Sequence, residues 1–133
     1  MRFEPSSYIS KSLLFCCILI AFARCSTSLS DDVTVAMETL PEQIDYNYHV
    51  KPILADRCYA CHGPDENTRK AGLRLDVEQE AYASLASGNH AIIPSKPYQS
   101  SLIHRILSED SEIIMPPPDS KLTLSAEEKA VLI

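Results

Sequence analysis

Hydrophobic and polar positions divide the chain into one long apolar run, one polar stretch and four helical patterns. Leu13 to Ala23 is continuously apolar, whereas Ser30 to Pro41 is polar and acidic with no apolar period. Tyr46, His49, Val50, Ile53 and Leu54 then fall at i, i+3, i+4, i+7 and i+8, the spacing of an amphipathic helix. Asp45 or Asn47 is its candidate N-cap. Proline is tolerated only in a first turn, so Pro52 places the regular part of this helix from about residue 49 onward, running into Cys58. Gly63-Pro64 ends it.

The remaining elements are shorter. Gly72 to Asp76 alternates apolar and polar residues, which predicts a very short extended piece. Asp76 with Gln79 has the capping-box spacing and opens a second helix, with Val77, Ala81, Tyr82 and Leu85 as its apolar stripe and Gly88 as its stop. Ala91-Ile92-Ile93, closed by Pro94, is short and β-branched, and is expected to pair with Leu73 to Leu75 as a tiny two-stranded ribbon. Ser95-Lys96-Pro97 signals a third helix with Tyr98, Leu102, Ile103 and Ile106 on its buried face. Ser125-Ala126-Glu127-Glu128 opens a fourth. It is incomplete where the chain reaches Ile133, the pattern of a C-terminally truncated domain.

The chain has 133 residues, room for one small domain and a leader. Arg2 and Lys11, the eleven apolar residues Leu13 to Ala23 and the small residues from Cys25 to Ser30 form an export-signal pattern over residues 1–30. Eleven apolar residues fall short of the roughly 20 that cross a bilayer, so a retained N-terminal anchor is the lesser reading. Cys25 follows Arg24, a poor context for lipid attachment, and cleavage between Cys25 and Ser30 is favoured over a lipoprotein. Residues 31–44 are expected to be a flexible tether and 45–133 the domain. Residues 31–133 carry nine Lys and Arg against 17 Asp and Glu, a formal −8, which argues against a nucleic-acid or anionic-membrane surface.

Of five cysteines, Cys16, Cys17 and Cys25 leave with the leader, and Cys58 and Cys61 remain. They belong to Cys58-Tyr59-Ala60-Cys61-His62, the pattern of covalent haem attachment. On a helix, positions 58, 61 and 62 share one face, so two thiols reach the vinyl groups of one porphyrin edge and His62 lands under the iron. One haem c consumes both mature cysteines, in the exported compartment where such attachment takes place. The expected fold is all-α, cytochrome c-like, with about four short helices around that haem. Val50, Ile53, Leu54, Leu85, Leu102, Ile106 and Ile114 are the expected apolar wall.

Met115 is the candidate sixth ligand. It lies 53 residues after His62, ahead of three prolines that stiffen its loop. His/Met ligation raises the reduction potential and suits electron transfer. His49, His90 and His104 are rival ligands, with His90 the runner-up. Arg74 or Arg105 is the candidate partner for a haem propionate, the kind of anion a guanidinium grips with two donors. A backbone carbonyl near Pro64 or Pro94 is the expected partner for His62 Nδ1.

The leading expectation is a one-electron carrier, not an enzyme, serving a redox partner protein or a fused domain. The alternative is an open-site haem peroxidase or small-ligand sensor, should Met115 not reach iron. A haem-free Cys-x-x-Cys redox or zinc module is disfavoured, since no strand-helix-strand pattern and no second ligand pair accompany it.

Several segments together resemble the planctomycete-type cytochrome c domain: Cys58 to Asp65, Arg69 to Asp76, Ile92 to Pro97, Ser101 to Ile106 and Met115 to Pro118. The resemblance spans roughly residues 45 to 133. It implies a class I-like cytochrome c fold, with haem ligands at His62 and, by position, Met115. It also implies a place near the N-terminus of a larger exported protein.

Overall fold

The computed structural model describes residues 29–133, so the leader falls outside the described residues except for positions 29 and 30. Among the described residues six short helices carry the fold: α1 (Asp31–Glu38), α2 (Lys51–Arg57), α3 (Tyr59–His62), α4 (Glu78–Ala81), α5 (Ser101–Ile106) and α6 (Ala126–Leu132). A π-helical turn, Tyr46–Val50, leads into α2, and 3-10 turns at Pro97–Gln99 and Pro118–Ser120 precede α5 and α6. Among the described residues there is no β-strand, and the all-α expectation holds.

The entry into α2 follows the chemistry of its residues. Asp45 caps the turn by accepting the Tyr48 N–H at 2.9 Å. Its own N–H donates to His49 Nδ1 at 2.8 Å, so His49 works as a cap. Pro52 sits in the first turn of α2, where its missing N–H leaves nothing unpaired. The wide turn before it absorbs the conflict that proline poses to a regular helix starting at Tyr46.

Residues 31–44 are not the expected flexible tether. Asp31 to Glu38 form α1, whose Val33 and Ala36 are buried against Ala130 of α6, with Leu29, Leu40, Ala126 and Ile133 around them. Asp31 and Asp32 at its N-terminus complement the helix dipole. α6 opens with a complete capping box, Ser125 and Glu128 exchanging side-chain-to-backbone bonds of 3.1 and 2.8 Å.

A second core joins Leu54, Leu73, Leu75, Ala81 and Ala91, with Val50, Leu85, Ile92, Leu102 and Leu132 packed against it. Of the expected apolar wall, Leu54 and Ile106 are buried and the other five residues are half-buried. Arg57 of α2 reaches Glu128 of α6 at 3.1 Å and ties the two cores together. Ser100, buried ahead of α5, accepts the Ile93 N–H at 2.9 Å and donates to the Lys96 carbonyl at 3.0 Å, pinning the loop before the helix.

Two further expectations are corrected. The ribbon between residues 73–75 and 91–93 does not form, because the backbone groups it needs are engaged elsewhere. The Leu75 N–H donates to the His62 carbonyl, the Leu73 N–H to Lys70, and the Ala91 carbonyl accepts from Leu102. The isolated antiparallel bridge is instead between Ser84 and His90. The second helix is a single turn, and Asp76 does not cap it, since Val77 stands at the N-cap with no side-chain bond. Tyr82 and Tyr98, both expected on buried faces, are exposed.

Asp76 instead holds Arg74 by two bonds, Nε to Oδ1 at 3.1 Å and Nη2 to Oδ2 at 2.6 Å. The Arg74 hydrogen bonds and charge keep the Asp76 carboxyl below the usual carboxylate range. A depressed folded pKa gives stability that is complete above the unfolded value of about 4 and is lost as pH falls through the folded value. Asp76→Asn is therefore expected to flatten the acid limb of the holoprotein's stability curve below about pH 4, read by denaturant titration at several pH values.

Candidate functional site

The Cys-x-x-Cys-His stretch occupies the bend from α2 into α3. The Cys58 N–H closes α2 on the Leu54 carbonyl at 2.9 Å. The Cys58 carbonyl then accepts from both Cys61 N–H, 3.1 Å, and His62 N–H, 2.8 Å. These two bonds make one helical turn, so residues 58, 61 and 62 lie on one face, as the spacing predicts. Gly63 follows the turn, where a Cβ would collide with the Tyr59 carbonyl oxygen.

A helix end leaves carbonyls without intrahelical partners. Here segment 69–75 supplies them. The Lys70 N–H donates to Cys61 and the Leu75 N–H to His62, each at 2.8 Å. Arg69 donates from Nε to the Gly63 carbonyl at 3.2 Å and from Nη2 to the Pro64 carbonyl at 2.9 Å. The strap turns through Ala71 and Gly72, both with positive φ, where glycine at the second position relieves strain. Arg69 is a residue that pattern reading passed over. The signal was available in principle, as an arginine a few residues beyond a helix end whose carbonyls need donors.

Cys58 and Cys61 are free thiols, each half-buried. Burial first, then the Glu128 and Cys61 charges, push the Cys58 thiol up to about 11. It is a protonated thiol at neutral pH, not a thiolate nucleophile. His62 is half-buried and its pKa is lowered, by burial first and by the Arg105 charge, with the Lys70 backbone opposing. It is therefore poised as the neutral imidazole that binds metals. His62 Nδ1 is buried with no hydrogen-bond partner, which corrects the expectation of a carbonyl near Pro64 or Pro94. Tyr59 is half-buried, packs on the Leu54 core and buries its hydroxyl without a partner. Burial, then the neighbouring Tyr46, raises its pKa.

The other candidates are placed as follows. Met115 is half-buried, and its N–H donates to the Arg105 carbonyl of α5 at 3.1 Å. Arg74 gives its fork to Asp76 and reaches Glu80 at 3.4 Å. His49 is engaged with Asp45, while His90 and His104 are exposed. Among the described residues no group of three His, Cys, Asp or Glu side chains could hold a metal ion by itself.

An apolar cleft of about 210 Å³ is lined by Val50 of the π-helical turn, Leu54 of α2, Ile92 to Ser95, Leu102 and Ile103 of α5, and Leu132 and Ile133. Cys58, Cys61, His62 and Met115 do not line it; Leu54, whose carbonyl accepts the Cys58 N–H, does. Two free thiols and a neutral imidazole on one turn, with an orphaned buried imidazole nitrogen, fit a covalently held haem. Cys58 and Cys61 would bond it and His62 would hold its iron.

Residues 58–119 match the family model of planctomycete cytochrome C. This segment belongs to that family. The match opens on Cys58, runs through the 69–75 strap and α5, and ends just past the Met115 loop. No curated protein and no solved structure matches the chain. A cytochrome c domain points to haem binding and electron transfer. Among the described residues no helix is long and apolar enough to cross a membrane.

Proposed function

We propose that the chain is an exported c-type cytochrome domain that carries one haem c and passes single electrons to a redox partner protein or a fused domain. The observation that carries this reading is the turn at Cys58. Two free half-buried thiols and one neutral imidazole share a hydrogen-bonded helical turn at the start of the segment that matches the family. When bound, the haem supplies an iron that takes up and gives back one electron.

The chain's own residues do the rest. Cys58 and Cys61 would hold the haem covalently through their thiols. His62, neutral by burial, and Met115 would hold its iron through an imidazole nitrogen and a thioether sulfur. Carbonyl-to-strap bonds from Arg69, Lys70 and Leu75 fix the turn that bears His62, so the ligand does not have to be ordered by the metal. Leu54, Leu102 and their neighbours exclude water from one side. No acid, base or nucleophile set is needed. Export is supported by the apolar run Leu13 to Ala23 and by the compartment that haem attachment requires.

The test is a double substitution. Wild-type chain co-expressed with a haem-attachment system is expected to stain for haem on a denaturing gel, and Cys58→Ser with Cys61→Ser is expected to give a colourless band. Staining that survives loss of both thiols would remove the thioether assignment.

A further inference from the structure

Arg105 stands in the last turn of α5 and is exposed, the setting of an ordinary surface arginine. Its bonds are not those of one. Its carbonyl accepts the Met115 N–H at 3.1 Å, and its Nη1 donates to the Ile113 carbonyl at 3.2 Å. These two bonds bracket Ile114 and lay residues 113–115 along the end of α5. Upstream, the Ile113 and Ile114 N–H groups both turn back to the Asp110 carbonyl, at 3.1 and 2.8 Å. Downstream, Pro116, Pro117 and Pro118 have no N–H to give. The segment carrying Met115 is thus stiff on one side and tied on the other, and Arg105 provides both ties between it and α5.

We propose that Arg105 is a positioning residue for Met115: side chain and main chain together clasp residues 113–115 onto α5 and set how firmly the thioether is held at iron. The inference rests on the reading of Met115 as sixth ligand. The Arg105 guanidinium is also a fixed cation bonded to the Met115 loop, and a cation near an iron favours the reduced state over the oxidised one. Arg74, by contrast, is neutralised by Asp76 and Glu80.

The experiment uses oxidised, haem-loaded full chain titrated with imidazole, which replaces the thioether by forming an Fe–N bond as the Fe–S bond breaks. Loss of the thioether-to-iron charge-transfer band reports the exchange. Arg105→Leu removes the Nη1 bond and the charge while keeping the carbonyl. It is expected to raise the apparent imidazole affinity about 2- to 10-fold, the worth of one net hydrogen bond. It should also lower the reduction potential. Arg105→Lys keeps the charge and one long donor, and is expected to restore most of the affinity and the potential. Should the leucine chain fail to accumulate, Arg105→Met, which keeps the long stem and has no donor, carries the test: a raised imidazole affinity supports the proposal and an unchanged one overturns it. Equal imidazole affinity and potential in wild type and Arg105→Leu overturn the clasp while leaving Met115 as ligand. A wild-type protein with no charge-transfer band overturns both.

Discussion

Met115→Ala is expected to leave haem covalently attached and to lower its reduction potential by on the order of 0.1–0.3 V, within the roughly 0.8 V that axial ligands span. The proposed attachment residues, Cys58 and Cys61, lie on a different turn, and Cys61 is tied to Lys70 of the strap, not to the 113–115 loop. The thioether acts on potential because a neutral sulfur ligand stabilises the reduced iron. With alanine the charge-transfer band of the oxidised protein should vanish and the spectrum should turn high-spin, or turn low-spin with a nitrogen base in place. Potentiometry and near-infrared absorption check both halves. An unchanged potential and band would transfer the sixth-ligand role to another thioether, and Met37 is the other methionine among the described residues.

Chain made without haem attachment is expected to be largely unfolded, with little helical circular dichroism and no cooperative thermal transition. The helices run from four to eight residues, well below the roughly 12–15 at which isolated helices become marginal in water. Their stability must come from burial, and the buried apolar set offers little. Among the described residues ten make it up, four of them alanine, and the largest fully buried side chain is Val33. A domain of about 100 residues with so thin a core needs a staple, and a bonded haem is one. A sharp, reversible melting curve for haem-free protein would contradict this.

How far the sequence foretells this structure depends on how local each feature is. The Cys58-to-His62 turn, the Asp45 cap, the first-turn place of Pro52 and the Ser125–Glu128 capping box are legible because each is closed by residues at most four positions apart. α1 was not legible. Its buried stripe is only Val33 and Ala36, too short for a period, and it is a helix because α6, almost a hundred residues later, covers it. The second helix misleads for the opposite reason. Asp76 has the spacing of a cap, but Arg74 two residues away makes a stronger, charge-assisted claim on its oxygens.

The site divides in the same way. Residues 58, 61 and 62 follow from spacing alone. The donors that finish the turn, Arg69, Lys70 and Leu75, depend on a strap whose path is set by positive φ at Ala71 and Gly72. The double role of Arg105 depends on how α5 meets the loop before the prolines, which no spacing encodes. Arg69 and Arg105 both work by bonding backbone carbonyls, and partners of that kind leave no side-chain pattern to read.

The central claim is that Cys58 and Cys61 together hold one haem. Its most direct measurement is the intact mass of denatured, reduced wild-type protein produced with a haem-attachment system. The expected mass is the mature polypeptide plus one haem, with no alkylatable thiol left at Cys58 or Cys61. A mass equal to the polypeptide alone, with both thiols free to alkylate, would contradict it.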